Sequence, residues 1–144
     1  MAKILIIEAR FYDELADQLA AGAEAVLREA GADHERVSVP GVLEIPAAMA
    51  YAHAAGGFDG FVLLGCVIRG ETTHYDIVSN ESAREIMRLA SDHRLAVGNG
   101  IQTVENMEQA LARVSPQKKN KGGAAAAAAL AMIALRDRMD VRPS

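Results

Sequence analysis

The stretch Phe61 to Val67, Phe-Val-Leu-Leu-Gly-Cys-Val, places no polar side chain at alternate positions. A strand with one wet face alternates apolar and polar residues, so an unbroken apolar run of this length reads as a strand covered on both faces. That is the signature of a parallel sheet with helices on either side. A polar, glycine-punctuated turn, Gly70-Glu71-Thr72-Thr73-His74, follows directly. Beyond it Ile77, Val78, Ile86, Met87 and Ala90 recur at helical spacing, with Thr72 and Thr73 as suitable N-caps. The chain there passes from strand to helix at the carboxyl edge of the sheet, where folds of this class bind ligands.

Strand-like and helix-like segments alternate along the remainder, predicting an α/β fold with strands at 3–8, 35–39, 60–67 and 94–100. Leu15, Leu19, Ala23 and Val26 form one helical stripe and Ile45, Met49 and Ala52 a shorter one, while Gly31 and Gly56 fall where helices should end. Two more helices are expected at about 105–114 and 122–138, broken by Ser115-Pro116 and the run Lys118-Lys119-Asn120-Lys121. The alanine run 124–129 leads into Leu130, Met132, Ile133 and Leu135, which predicts close helix packing. No linker or repeat divides residues 1–144, so one domain is expected.

A net charge of −4 gives no electrostatic reason to expect nucleic acid as partner. Cys66 is the one cysteine, so no internal disulfide forms and a reducing cytoplasm is the expected setting. Met1 runs into the first strand without the pattern of a secretion signal, and the apolar stretch Ala124 to Leu135 is too short to span a bilayer. No membrane association is expected.

The strand ends carry the chemistry. The first ends at Arg10-Phe11, the second at Val39-Pro40-Gly41-Val42-Leu43-Glu44-Ile45-Pro46, the third at the His74 turn and the fourth at Asn99-Gly100. Phe11 is suited to capping the core or to stacking on a planar ring. Glu44, between two prolines, is either a surface-turn residue or a hydrogen-bonding partner for a polyol or ring nitrogen. A lone histidine is more often a surface group than a catalyst, but His74 stands in the first turn of a helix after Gly-Glu-Thr-Thr, whose backbone N–H groups can hold an anion. Glu71 and His74 have Glu-x-x-His spacing without a second pair, which disfavours a metal site. Cys66 is core or pocket wall, with nothing beside it to lower a thiol pKa. Arg113, Lys118, Lys119 and Lys121 surround the entry to the last helix. There Asn120-Lys121-Gly122-Gly123 suits an anion-binding turn, although a solvated charge run is the more ordinary reading. The spacing of a nucleotide triphosphate loop is absent.

In order along the chain, Arg10-Phe11, Val39 to Pro46, Gly65 to His74, Glu108-Gln109-Ala110 and Asn120-Lys121-Gly122 form a pattern that resembles the lumazine synthase family of riboflavin biosynthesis, from about Ile4 to Met132. The resemblance implies a flavodoxin-like three-layer α/β/α sandwich around a four-stranded parallel sheet. It also implies pentamers with active sites shared between adjacent subunits, and a reaction that needs neither metal nor organic cofactor. That reaction condenses 5-amino-6-(D-ribitylamino)uracil with 3,4-dihydroxy-2-butanone 4-phosphate to 6,7-dimethyl-8-ribityllumazine, releasing phosphate and water. Riboflavin synthase is the candidate protein partner.

Carried over residue by residue, the resemblance implies that Phe11 stacks on the pyrimidine and that Val42, Leu43 and Glu44 hold the ribityl chain and ring. Cys66, Val67 and Ile68 would line the uracil pocket, Glu71 and Thr72 would cradle the phosphate, and His74 would move protons. From the adjacent subunit would come Asn99 against the pyrimidine and Arg113 on the phosphate, with Lys121 adding positive charge. Tyr12 stands where the family usually has asparagine, and Asn99 where an aromatic or aliphatic residue is frequent. The start of the chain close to its first strand and the glycine-poor segment 114–119 point to a free pentamer, with a decamer or a sixty-subunit shell as the other assemblies. Two further readings are a non-catalytic member of the family that holds riboflavin or a lumazine, and a flavodoxin-like or receiver-type signalling module. The missing acidic cluster at the first strand end disfavours the latter.

Overall fold

In a computed structural model, which describes residues 1–144, the apolar run lies inside a sheet as β3 (Gly60–Ile68). Its neighbours are β1 (Lys3–Ala9) and β4 (Val97–Val104), and β2 (Asp33–Val39) lies outside β1, giving the order β2-β1-β3-β4 with every pairing parallel. This is the flavodoxin-like order carried through four strands. The helices are α1 (Asp13–Glu29), α2 (Ile45–Ala55, preceded by a 3-10 turn at Val42–Glu44), α3 (His74–His93), α4 (Met107–Val114) and α5 (Lys121–Arg138).

The period-2 alternation of the two inner strands splits the core. Ile4 and Ile6 of β1 with Val62 and Leu64 of β3 face α1, α4 and α5, where they meet Leu15, Leu19, Leu27, Val114 and Ile133. Leu5, Ile7, Phe61 and Leu63 face the other way, onto Ile45 and Met49 of α2 and Val78, Ile86 and Leu89 of α3. The three-layer α/β/α sandwich follows from these two clusters. Leu15, Leu19 and Ala23 are buried as their spacing predicts, and Gly31 and Gly56 take positive φ values of 73° and 83° just beyond α1 and at the end of α2.

β1 and β3 each run one residue past their expected ends, and the other two strands differ by more. β2 begins at Asp33, because Asp33 and His34 pair in register with Lys3 and Ile4. The strand is exposed along most of its length, so its charged residues carry no apolar signal. β4 is displaced towards the carboxyl terminus. Arg94 closes α3 in the left-handed conformation and Leu95 donates its N–H to Ala90 O, so those residues belong to the helix exit. The ladder then pairs Phe61 with Val97 through to Ile68 with Val104. Asn99 and Gly100 are therefore mid-strand, opposite Leu63 and Leu64, and the strand end is at Val104-Glu105.

Candidate active site

β1 and β3 are adjacent, yet the chain leaves β1 outward to β2 and leaves β3 outward to β4. Between such strands the following segments diverge and open a crevice at the carboxyl edge of the sheet. A cleft of about 220 Å³ lies there. Ala9, Phe11 and Tyr12 enter it from the end of β1, and Gly41, Val42, Leu43 and Glu44 from the end of β2. Cys66, Val67 and Ile68 form its β3 wall, and His74 and Val78 come from α3. Gly65 lets the β2 exit settle onto β3, since a Cβ at that position would lie 2.9 Å from Val42 Cγ2 and 3.2 Å from Ala9 Cβ.

Phe11 is 75% exposed, so the core-capping reading is excluded and its ring is presented to whatever occupies the cleft. Tyr12 meets it edge-on, with centroids 4.9 Å apart and ring planes at 84°. The turn beneath is clamped through Arg10. Its Nη1 donates to Glu8 Oε1 at 2.7 Å and its Nε to Asp13 Oδ1 at 3.1 Å, and Nη2 also reaches Asp17. Glu8 is itself buried and takes two further bonds from Arg36, from Nε at 2.7 Å and from Nη2 at 2.9 Å. A buried carboxylate with three charge-assisted bonds is satisfied, and it ties the β1 exit to β2.

His74 opens α3 and is exposed. The N-cap is Thr73, as expected in position but not in chemistry. Its backbone is helical (φ −74°, ψ 0°), so its hydroxyl makes no capping bond, and Thr72 Oγ1 instead accepts the His74 N–H at 3.2 Å. The backbone N–H groups of Glu71, Thr72, Thr73 and Tyr75 have no acceptor within the chain, which leaves this exposed turn equipped for an anion. Arg69 braces it. The guanidinium lies 4.3 Å from the Tyr75 ring centroid and 3.7 Å from Asp76 Oδ1, and also binds Glu105 at the exit of β4.

Cys66 is buried in the β3 wall of the cleft. Burial pushes its thiol up to about 11, so it is neutral and unreactive at physiological pH. From a reference of 9.0, that shift leaves roughly 100-fold less thiolate at neutral pH than an open cysteine carries. Alkylation by iodoacetamide at pH 7.5 should be slower than in the unfolded chain by at least that factor. Equal rates would place the thiol in solvent. The same shift makes folding stability fall as pH rises from 9 towards 11, because the unfolded chain releases this proton first.

Of the expected site residues, Glu71 and Thr72 stand in the exposed turn before His74 without lining the cleft, and Asn99, Arg113 and Lys121 lie away from it within one chain. Arg113 is on α4, in the layer with α1 and α5 on the opposite face of the sheet from α2 and α3, and its Nη1 donates to Gln109 O at 3.0 Å. Lys121 is exposed at the start of α5, in that same layer. Asn99 is exposed on the edge strand, where its Oδ1 accepts the Ile101 N–H at 3.0 Å. At Asn120-Lys121-Gly122-Gly123, where an anion-binding turn was the alternative to a solvated charge run, the glycines are closely packed. Asn120 Oδ1 already accepts the Gly123 N–H at 3.2 Å, and Gly122 is pressed so closely on Leu19 O that a Cβ would lie 2.0 Å from it. The glycines there serve the contact between α1 and α5. Ala9, Tyr12, Gly41 and Val78 line the cleft without having been given a site role. The adjacency of Tyr12 to Phe11 and the place of Gly41 within the Val39 to Pro46 motif were the signals for them.

The 6,7-dimethyl-8-ribityllumazine synthase family model matches residues 1–137. Proteins of that name include one from Novosphingobium aromaticivorans, 59% identical over 138 residues, which covers 96% of this chain and 99% of its own. One from Agrobacterium fabrum is 57% identical over 94% of this chain and 95% of its own. One from Zymomonas mobilis is 55% identical over 96% of this chain and 99% of its own.

Proposed function

The chain belongs to the 6,7-dimethyl-8-ribityllumazine synthase family, and from that premise we propose how its residues divide the reaction. The protein is a transferase that joins 5-amino-6-(D-ribitylamino)uracil to 3,4-dihydroxy-2-butanone 4-phosphate, forming 6,7-dimethyl-8-ribityllumazine with loss of phosphate and water, the penultimate step of riboflavin biosynthesis. The observation that carries the division of labour is the convergence of Phe11, Glu44 and His74, from three different strand ends, on one cleft at the switch point.

In this reading Phe11 stacks on the pyrimidine, Cys66, Val67 and Ile68 hold its edge, and Val42, Leu43 and Glu44 bind the ribityl chain and ring. The unpaired amides of the Glu71-Thr72 turn receive the phosphate beside His74, which shuttles protons during imine formation and phosphate loss. The attacking amine is already a nucleophile. The protein must therefore hold two substrates in contact, stabilise the leaving phosphate and relay protons, and proximity alone supplies ~7–11 kcal/mol of barrier lowering. No step of this kind calls on a metal or an organic cofactor.

Asn99, Arg113 and Lys121 serve a neighbour's cleft, with Arg113 on the phosphate. Three facts support a shared site: these residues lie away from the cleft of their own chain, the cleft is smaller than the roughly 300–1,000 Å³ usual for a ligand site, and α3 exposes Ile77 (52%) and Met87 (67%). Cyclic symmetry gives every subunit a completing neighbour, and a free pentamer is the assembly proposed. Light scattering reads it directly: about five chains supports the pentamer, and an active monomer would overturn the shared site. The whole of residues 1–144 acts as one synthase domain. No helix is long and apolar enough to cross a membrane, and the buried lone thiol suits a reducing cytoplasm, with riboflavin synthase as the candidate protein partner.

The test is direct. Purified protein, treated with chelator and free of flavin, should convert both substrates stoichiometrically to the lumazine, followed by its absorbance and fluorescence. Persistence of both substrates at the uncatalysed rate would reject the enzyme reading in favour of a member that only binds.

A further inference from the structure

We propose that Tyr12 is a positioning residue of this site, whose ring sets the orientation of the Phe11 ring that receives the pyrimidine; the proposal rests on the stacking role given to Phe11 above. An aromatic side chain with three quarters of its surface in water has little packing to choose its rotamer. Phe11 is such a side chain, at 75% exposure. Its backbone is not free, because the Arg10 clamp on Glu8, Asp13 and Asp17 fixes the turn that carries it. What remains to be set is the ring, and the aromatic group against it is Tyr12, edge-on at 4.9 Å and 84°. A pair in that geometry favours one arrangement over its alternatives by roughly 2–10-fold. Tyr12 can act as the fixed member because it is half-buried against the core beside α1 while also lining the cleft.

A second observation shows what the chain gives up for this ring. Tyr12 is the N-cap of α1, with the extended backbone of a cap (φ −113°, ψ 95°), and its side chain makes no bond to the first turn of the helix. Asparagine, aspartate or serine at that position would accept an amide of that turn and stabilise the helix. A local rule broken at the rim of a cleft, with no gain to the helix, marks a residue kept for the site.

The two roles separate cleanly in Tyr12→Asn, which restores capping chemistry while removing the ring. Its melting temperature should be unchanged or raised, whereas the dissociation constant for the lumazine product, read by fluorescence titration, should rise roughly 2–10-fold. The KM for the pyrimidine should follow, and kcat at saturation should stay within about twofold because His74 is untouched. Tyr12→Phe keeps the ring edge and should recover binding. Tyr12→Leu refills the core contact should the asparagine variant fold poorly, and should bind as weakly as Tyr12→Asn is expected to. Phe11→Ala tests the underlying reading by itself: unchanged affinity there means Phe11 does not stack, whatever Tyr12 does. If Phe11→Ala weakens binding, the double variant F11A/Y12N should be no weaker than F11A alone, because Tyr12 acts through Phe11. Additive losses would make Tyr12 a direct wall of the pocket, a Tyr12→Phe variant as weak as Tyr12→Asn would assign the effect to the hydroxyl, and parent-like binding by folded Tyr12→Asn and Tyr12→Leu would remove Tyr12 altogether. Each of these three outcomes overturns the proposal.

Discussion

Gly98→Ala is expected to destabilise the protein by roughly 3 kcal/mol or more, enough to leave much of the chain unfolded or aggregated on expression. A Cβ built at Gly98 would lie 1.8 Å from the backbone oxygen of Ala125. No rotamer change relieves a backbone contact, so α5 would have to move away from β4 as a body. It cannot do so freely, because its other side is pressed on α1 at Gly122 and its alanines Ala125, Ala126 and Ala129 are buried. The loss is thus close packing along a whole helix. Gly70→Ala is the matched control: it meets nothing within 4 Å and carries no positive φ, so its stability should move by no more than ~0.5–1 kcal/mol, in the stabilising direction if at all. Urea unfolding at one protein concentration compares the two. Coincident curves for Gly98→Ala and the parent would mean that α5 does not approach β4 as closely as described.

That helix also shows where the chain is legible and where it is not. The alanine run could be read as a tightly packed helix, since small residues ending in Leu130 and Ile133 need near neighbours. What the helix approaches, with Ala125 on Gly98 and Gly100 of β4 and Gly122 on Leu19 of α1, depends on the sheet order, which no local pattern carries. The same blindness left Gly122-Gly123 open to reading as an anion turn. Glycines that admit a helix and glycines that admit a phosphate have the same spelling. β1 and β3 were readable because both faces of each are buried, whereas the start of β2 was hidden by its exposure on the sheet edge. β4 was placed too early because Gly98 and Gly100 lower its apolar signal, and Asn99 then appeared to end a strand whose middle it occupies. At the site, Phe11, Glu44 and His74 could be gathered in advance, since residues just beyond the ends of neighbouring parallel strands meet at one edge of the sheet, and Cys66 near the end of β3 was readable as core or pocket wall. Arg113 could be assigned to a neighbour's cleft through the resemblance, and its separation from the cleft of its own chain follows from α4 lying in the layer with α1 and α5.

Because His74 and Arg113 lie on opposite faces of one subunit, variants lacking one or the other should complement each other. His74→Ala is expected to lower kcat by roughly 10–10³-fold, since proton transfer is one part of a barrier that substrate positioning also lowers. Arg113→Ala is expected to raise the KM for the butanone phosphate much more than that for the pyrimidine, by removing a charge-assisted phosphate contact. At butanone phosphate concentrations well below the raised KM, each variant alone is slow. Refolded together in equal amounts, they should form sites in which an intact His74 from one chain faces an intact Arg113 from its neighbour. Random placement around a closed ring makes about a quarter of all sites of this kind, so close to a quarter of parent activity should return. A mixture no more active than the average of its components, in assemblies shown by light scattering to contain both chains, would place both residues in the same subunit's site or remove Arg113 from the site. Either result would break the link between the two-faced distribution of these residues and the need for a ring.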